Sequence, residues 1–140
     1  MTTYVVDTSV AVKWFLPETH SENALTLLKP QNRFIVPDRF WLEIANVLLS
    51  HIRRKILSKE DGTSIWRKCL RADLIYTSDM DYVDKAFQTS LETGSSVYDS
   101  LFLAVALGNE CHLVTADRKF YNSLQYTPYS KNIIWVGELS

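Results

Sequence analysis

Apolar residues follow two patterns along this chain. Short runs rich in β-branched residues, which are typical of buried strands, lie at positions 4–6, 33–36, 74–76, 112–115 and 133–136. Between them are segments whose apolar residues recur every three or four positions, or are continuous over two turns, as in helices: 10–16, 24–28, 40–52, 65–70, 80–91 and 101–107. Strands that alternate with helices predict an α/β fold, in which a central, mostly parallel sheet is covered by helices on both faces.

Polar residues at the borders of these segments predict where several helices begin and end. Asp38 is placed to cap the third helical segment, and Asp79 to cap the fifth, which Gly94 ends. Ser58, with Asp61 three residues later, resembles a capping box at the start of the fourth segment. The fifth segment is interpreted as scaffold.

The stretch 97–120, VYDSLFLAVALGNECHLVTADRKF, places two carboxylates at the ends of buried elements. Its helical part is apolar all round, which indicates a helix with little exposed face. Gly108 or Asn109 is of the type that ends helices in the left-handed conformation. Asp99 falls in the first turn of this helix, where the helix dipole favours an anion, so it is either a simple charge complement or a functional group.

Two further carboxylates come directly after predicted strands. Asp117 follows the strand 112–115, and Asp7 follows the first strand, at the carboxyl ends where open parallel sheets bind their ligands. Thr8 and Ser9 either cap the next helix or orient Asp7. A plain turn or cap role for both aspartates is the structural alternative.

Glu43 lies on the buried stripe of the third helical segment. It is three residues after Phe40 and four before Val47, so helix geometry directs its carboxylate towards the core. An unpaired charge there costs several kcal/mol or forces protonation. A salt bridge to a nearby arginine or a position at the helix edge would remove this cost. A pocket shared with other carboxylates would also explain the position of Glu43, because the predicted topology brings Asp7, Asp99 and Asp117 to the same edge of the sheet.

Composition limits the classes of function. The 140 residues, of which 46% are hydrophobic and 22% charged, fit one globular domain spanning 1–140, without a basic leader or an uninterrupted apolar span, so a cytoplasmic protein is expected. Cys69 and Cys111 have no paired spacing and form no ligand pattern with the histidines, which argues against zinc, disulfides and a Cys-His nucleophile. The net charge of −1 argues against binding nucleic acid by bulk charge alone.

A pocket of four carboxylates has a defined chemistry. Two carboxylates about 4 Å apart repel by about 4 kcal/mol at an effective dielectric constant of about 20. A hard divalent cation removes this cost, and oxygen-only ligands select Mg²⁺ or Mn²⁺ over zinc. Such an ion can activate water, hold a phosphate and stabilise a leaving oxygen, and phosphodiester hydrolysis uses all three.

Four short motifs in the chain carry a resemblance to a known family. VVDTS around Asp7, PDRFWLE ending at Glu43, YDSLFLA containing Asp99 and LVTADRKF containing Asp117 resemble the PIN-domain family, and within it the VapC toxins of toxin–antitoxin pairs. The resemblance covers nearly the whole chain in the family's order. It implies a three-layer α/β/α fold, an Mg²⁺- or Mn²⁺-dependent endoribonuclease, a homodimer, and inhibition by an antitoxin whose tail blocks the acidic pocket.

Carried over by position, the resemblance assigns roles to individual residues. Asp7, Asp99 and Asp117 would be the principal metal ligands, and Glu43 would bind metal through water or position the attacking water. Thr115 matches a supporting hydroxyl position, while Thr8 and Ser9 form the first corner.

The chain departs from the resemblance at one position. Many relatives have an acidic or amide residue two positions beyond the last aspartate, and Lys119 stands there instead, which weakens the case for a second metal site. The candidate phosphate contacts, for which ordinary surface charge is the alternative, are Lys13, Arg118 and Lys119. The candidate contacts for a second copy or an antitoxin, for which core packing is the alternative, are Trp14, Phe40 and Trp41.

Two other classes of function compete with this interpretation. A receiver- or phosphotransferase-like α/β module would also place an aspartate after a strand, but it requires a lysine after a late strand, and the nearest, Lys119, lies beyond Asp117. A catalytically idle PIN-like binding module would keep the fold and dock a partner without cleaving RNA. Intact carboxylates favour the enzyme over this second alternative.

Overall fold

A five-stranded, all-parallel sheet forms the centre of the molecule in a computed structural model that describes all 140 residues. The strand order is β3-β2-β1-β4-β5, so the chain starts in the middle of the sheet. The strands are β1 (Thr2–Val6), β2 (Asn32–Pro37), β3 (Ile75–Thr77), β4 (His112–Thr115) and β5 (Ile133–Trp135). The helices are α1 (Thr8–Phe15), α2 (Ser21–Leu25), α3 (Arg39–Arg53), α4 (Lys59–Leu70), α5 (Val83–Thr93), α6 (Val97–Gly108) and α7 (Arg118–Ser123).

The most apolar segments of the sequence form the core. The inner strands β1 and β4 contain fully buried residues such as Val5 and Leu113. Helix α6 is buried on every side from Ser100 to Ala106 and packs on β1, β2 and β4, as its continuous apolar pattern predicts. This helix has 12 residues, and none of the helices combines the length and apolarity needed to cross a membrane. The predicted α/β/α architecture is confirmed.

Parallel pairing brings the ends of the strands to one edge. Val6 pairs with Val114, Pro37 with Thr77, and Thr115 with Trp135. The residues that follow these strands therefore lie side by side, which is the condition under which the predicted carboxylates can meet.

Asp38 and Asp79 do not cap the helices that the sequence predicted for them, α3 and α5. Asp38 has helical backbone angles (φ −54°) and no side-chain cap bond at the start of α3. The cap comes from Asp79, whose Oδ1 accepts the Arg39 backbone N–H at 3.1 Å. Asp79 itself begins a short 3-10 turn, and α5 starts only at Val83. The cap prediction failed because the orphan N–H is satisfied by a residue distant in sequence, which local patterns do not reveal.

Helix ends follow the predictions at α4 and α5 but not at α6. Ser58 accepts the Asp61 N–H at 3.0 Å, and Gly94 ends α5 at φ 77°. At α6 the left-handed residue is Glu110 (φ 53°), because the Cys111 N–H reaches back to the Ala106 carbonyl at 3.0 Å in a Schellman arrangement. Neither Gly108 nor Asn109 has a positive φ.

The apolar stripe interpreted as scaffold faces outward. Met80, Phe87 and Leu91 are 78%, 55% and 73% exposed, while α5 packs on α6 through small residues such as Ala86. Helical periodicity marks an apolar face without saying what covers it. In this chain the stripe is a surface.

Candidate active site

Asp7 is the most enclosed carboxylate at the carboxyl edge of the sheet. Its side chain is 8% exposed, accepts the Val10 N–H at 3.3 Å as the cap of α1, and accepts hydrogen bonds from the hydroxyls of Ser9 and Thr115. Burial raises the pKa of Asp7 to about 6, although these hydrogen bonds lower it. Of the two roles that the sequence left open for Ser9, orienting Asp7 is the observed one, and Asp7 itself caps the helix.

The same two hydroxyls connect the corner after β1 to the corner after β4. Ser9 Oγ accepts the Ala116 N–H at 3.0 Å, and Thr115 Oγ1 accepts the Asp117 N–H at 3.0 Å. Thr115 is fully buried. Each hydroxyl therefore donates a hydrogen bond to Asp7 and accepts one from a backbone N–H of the corner after β4. These bonds fix the two corners relative to each other.

Asp99 and Asp117 lie on the wall of a cavity of about 520 Å³ together with Lys119. Asp117 caps α7, as the structural alternative predicted: its Oδ1 accepts the Phe120 N–H at 3.1 Å. Its second carboxylate oxygen takes no part in this cap. Asp99 occupies the first turn of α6, which Ser96 caps. Burial and the charge of Asp117 raise the pKa of Asp99, against the opposing effects of Ser96 and Lys119.

Glu43 lines a neighbouring cavity of about 540 Å³ with Thr8, Lys13 and Arg39. Its nearest cation is Arg39, whose Nε lies 3.5 Å from Oε1, but both atoms are buried and neither makes a hydrogen bond. Burial raises the pKa of Glu43 to about 7; Arg39 lowers it, whereas Asp7 and Asp99 raise it. The arginine alternative is therefore present, as an ion pair without hydrogen-bond geometry.

Arg39 is a part of the site that sequence reasoning missed. Its guanidinium lies 3.8 Å above the ring of Tyr98, the residue before Asp99, so it joins α3 to the start of α6. The spacing of four residues to Glu43 was a usable signal for the ion pair. Nothing in the sequence indicates the contact with Tyr98, because the two residues are far apart along the chain.

The residues predicted to contact phosphate or a protein partner differ in how accessible they are. Lys119 lines the cavity of Asp99, whereas Lys13 is committed to an ion pair with Glu18 at 3.2 Å. Phe40 is 1% exposed and belongs to the core, so it is not available to a partner; Trp14 and Trp41 are half-buried against the core.

The donor set suits a hard divalent cation, but its side chains do not form a metal shell as they stand. The four carboxylates influence one another: Asp99 raises the pKa of Asp7, and both raise that of Glu43. All are oxygen donors, and the buried Glu43 Oε1 has no hydrogen-bond partner, which fits Mg²⁺ or Mn²⁺ chemistry. No three acidic, histidine or cysteine side chains of the chain are grouped so that they could hold a metal ion together.

Solved structures share this fold. A Pyrobaculum aerophilum protein superposes with a TM-score of 0.71 at 20% identity, covering 97% of this chain and 85% of its own. Mycobacterium tuberculosis VapC20, described as a sarcin-ricin loop cleaving toxin, gives a TM-score of 0.63 at 16% identity, with 86% and 94% covered. VapBC2 from Rickettsia felis, solved with a fragment of promoter DNA, gives 0.63 at 20% identity, with 96% and 97% covered.

Sequence comparison agrees with the structural comparison. The chain is 29% identical over 121 residues to ribonuclease VapC3 of Pyrobaculum aerophilum, which covers 82% of this chain and 89% of that protein. The sequence pattern of the PIN domain matches residues 4–123, a span that contains all four candidate carboxylates. The chain therefore belongs to the PIN domain family.

Proposed function

We propose that this chain is a divalent-metal-dependent endoribonuclease of the VapC type, the toxin of a toxin–antitoxin pair, which hydrolyses phosphodiester bonds in RNA. The observation that carries the proposal is the placement of four carboxylates along the carboxyl edge of a PIN-family sheet, where burial and, in addition, the charges of neighbouring carboxylates raise the pKa values of Asp7, Glu43 and Asp99. The similarity to ribonuclease VapC3 supports RNA as the substrate.

The proposed cofactor is Mg²⁺ or Mn²⁺. Asp7, Asp99 and Asp117 would hold it, with Glu43 contributing through water. When bound, the ion would neutralise the acidic pocket, polarise the scissile phosphate and lower the pKa of water. The departure at Lys119 favours one such ion over two, because its ammonium already faces Asp99.

The side chains of the pocket have separate roles in this proposal. Asp7 is held in one orientation by Ser9 and Thr115 and needs no rearrangement during the reaction. Glu43 Oε1 has no hydrogen-bond partner and a pKa of about 7, so it is suited to position the attacking water and accept its proton near neutral pH. Lys119 can stabilise the additional charge that develops on the phosphate.

An antitoxin and a second copy of the chain are the proposed protein partners. Structural neighbours include toxin–antitoxin complexes from Klebsiella pneumoniae and Haemophilus influenzae, which supports an antitoxin partner. The exposed apolar row formed by Met80 of the preceding 3-10 turn and by Val83, Phe87 and Leu91 of α5 supports a homodimer, since monomers rarely expose such a row of apolar side chains. Action on cellular RNA under antitoxin control would take place in the cytoplasm.

Cleavage of RNA by antitoxin-free protein tests the proposed activity. Total RNA is incubated with the wild type, Asp99→Asn and a matched control, Asp84→Asn, which alters the first-turn acid of the neighbouring helix α5. Discrete fragments are expected with Mg²⁺ or Mn²⁺ from the wild type and Asp84→Asn, and none with EDTA or from Asp99→Asn. The same fragments from Asp99→Asn would contradict the proposal.

The same experiment decides between the enzyme and the idle binding module. A folded wild type that leaves RNA intact under every metal condition would favour the idle module. The receiver- or phosphotransferase-like alternative predicts a stable aspartyl adduct with acetyl phosphate, which a nuclease does not form. Membership of the PIN domain family gives that alternative no support.

A further inference from the structure

A guanidinium at the start of α7 lies against the end of the edge strand β5, one residue after the acidic Asp117. The guanidinium carbon of Arg118 is 4.1 Å from the centre of the Trp135 ring and 5.8 Å from that of Tyr121. Arg118 directly follows Asp117, and Trp135 ends β5 opposite Thr115. The stacked pair and the acidic site therefore share the corner after β4, where Arg118 follows Asp117.

The surroundings hold the indole in place. His20 meets the Trp135 ring edge-on at 5.7 Å, and Tyr121 packs beside it at 6.0 Å. The loop that presents His20 is tied down through Asn23, which contacts the His20 ring at 3.3 Å and donates to the Leu139 carbonyl at 2.8 Å. Trp135 and Tyr121 are half-buried, so this is a fixed platform.

Arg118 itself is exposed and has no acidic partner. The chain contains two ion pairs, and both use other cations. An exposed cation–π contact contributes only about 0.5–1 kcal/mol, so it does little for stability. Its main effect is to keep the guanidinium close to the indole, while the Arg118 side chain stays exposed to solvent.

That arrangement matches the chemistry of an unpaired nucleotide. A guanidinium plane stacks on a base, and its N–H edge binds phosphate oxygens in pairs, which an ammonium does not do. The next residue, Lys119, faces the cavity of Asp99 instead. The two consecutive cations thus point to two sides of Asp117: one to the acids and one to the aromatic platform.

We propose that Arg118, packed on the Trp135 ring that His20 and Tyr121 flank, forms a subsite for one unpaired nucleotide of the RNA next to the cleaved phosphate. The base stacks on the outer face of the guanidinium, and the adjoining phosphate accepts from its N–H groups. This inference rests on the proposed ribonuclease function. A base held in a duplex cannot enter the stack, so the subsite selects single-stranded or looped RNA.

Binding to short RNAs tests the subsite without cleavage. Asp99→Asn protein is titrated against a fluorescent single-stranded RNA and the same sequence as a duplex, with Arg118→Lys or Trp135→Leu added, and Arg67→Lys as the matched control on an exposed helix face. Since stacking on one base contributes about 1–3 kcal/mol, Arg118→Lys is expected to weaken single-strand binding about tenfold, although the charge is kept. Arg118→Lys should leave duplex binding and the salt dependence of binding unchanged. Arg67→Lys should bind single-stranded RNA as tightly as the Asp99→Asn parent.

Tryptophan fluorescence supplies a second measurement. Single-stranded RNA is expected to quench the emission of Asp99→Asn protein, and Trp135→Phe should remove most of the quenching while the melting temperature stays close to that of the parent. If Arg118→Lys binds single strands as tightly as its parent, Arg118 is an ordinary phosphate contact and the subsite is overturned, while metal-dependent cleavage by the wild type would still stand. If the wild type cleaves no RNA, the proposed function and the subsite both fall.

Discussion

Asp7 and Glu43 lie close enough for the charge of Asp7 to raise the pKa of Glu43, but the two carboxylates are held in different ways. On the strand side, Asp7 accepts three hydrogen bonds, two from hydroxyls and one from the backbone, and both of its oxygens are engaged. On the helix side, Glu43 has a 3.5 Å ion pair with Arg39, and its buried Oε1 makes no hydrogen bond. The first carboxylate is fixed by the fold, whereas the second is available to a ligand or to water.

This difference shows how one edge of a sheet can carry both a fixed group and an adjustable one. Residues at strand ends are held by the parallel pairing that also forms the core, so their positions are determined with the fold. A residue on a helix flank depends on side-chain contacts alone. We expect substitutions on the strand side to affect both stability and activity, and those on the helix side to affect mainly activity.

The largest expected effect separates the two carboxylates by activity. Asp7→Asn should lower RNA cleavage about 10³-fold, because it removes the charge of the most enclosed and most firmly held carboxylate of the candidate site. Glu43→Gln should lower it about 10²-fold, because the amide still hydrogen-bonds water but cannot accept its proton. Single-turnover cleavage rates at saturating Mg²⁺ measure both. A larger loss with Glu43→Gln than with Asp7→Asn would reverse the assignment of fixed and adjustable groups.

The hydroxyl network gives the next effect, on stability. Thr115→Val should lower the free energy of unfolding by about 1–3 kcal/mol, because Asp7 loses a donor and the Asp117 N–H loses an acceptor in a fully buried position. Urea denaturation measures this loss. Thr115→Ser should restore most of it.

Thr89→Val is the matched control for that substitution. Thr89 is also fully buried, but its hydroxyl donates to the Lys85 carbonyl of its own helix, so its loss leaves no carboxylate short of a donor. We expect a clearly smaller loss of stability. Equal losses at the two positions would show that the network around Asp7 has no special importance.

The raised pKa values predict an effect of pH on the metal-free protein. Carboxylates with folded pKa values of about 6 for Asp7 and about 7 for Glu43 titrate lower in the unfolded chain. Between about pH 4 and pH 7 the folded state binds more protons, so stability should fall as the pH rises through this window. The loss due to Asp7 should be on the order of 2 kcal/mol after allowance for screening.

Melting temperatures in EDTA from pH 4.5 to 8 measure this effect. Asp7→Asn should flatten the profile and match or exceed the wild type in stability at pH 8. Added Mg²⁺ should restore wild-type stability at the alkaline end, because an ion that binds only the folded state stabilises it. A metal-free profile that rises with pH across this window would contradict the burial of these charges.

The smallest effect concerns the contact between α3 and α6. Arg39→Gln removes a partly exposed ion pair and a cation–π contact, so it should cost about 1 kcal/mol or less. Because Arg39 lowers the pKa of Glu43, its removal should shift the acidic limb of the pH–rate profile to higher pH. Tyr98→Phe keeps the ring and should leave both properties unchanged. An unshifted acidic limb would show that Arg39 does not act on Glu43.

Local patterns in the sequence predicted much of the fold and the position of the candidate carboxylates at the edge of the sheet. Alternating strands and helices indicated the α/β/α sheet, and the continuous apolar run of α6 indicated a helix buried on all sides, since both patterns follow from how the backbone directs side chains. Placing Asp7 and Asp117 after strands required only the rule for parallel sheets. The features that failed, such as the caps assigned to Asp38 and Asp79, depend on partners distant in sequence.

The sequence by itself determined which residues this protein brings to the edge of its sheet: four carboxylates, the supporting hydroxyls and the cations that follow the last aspartate. Only the tertiary structure decided how each is held. Thr115 lies 108 positions from the Asp7 carboxylate that it holds, Arg39 stacks on Tyr98, and Arg118 lies on Trp135. The chemical type of a side chain is a property of the single residue. Its orientation and pKa depend on burial and on contacts between elements that meet only when the chain folds.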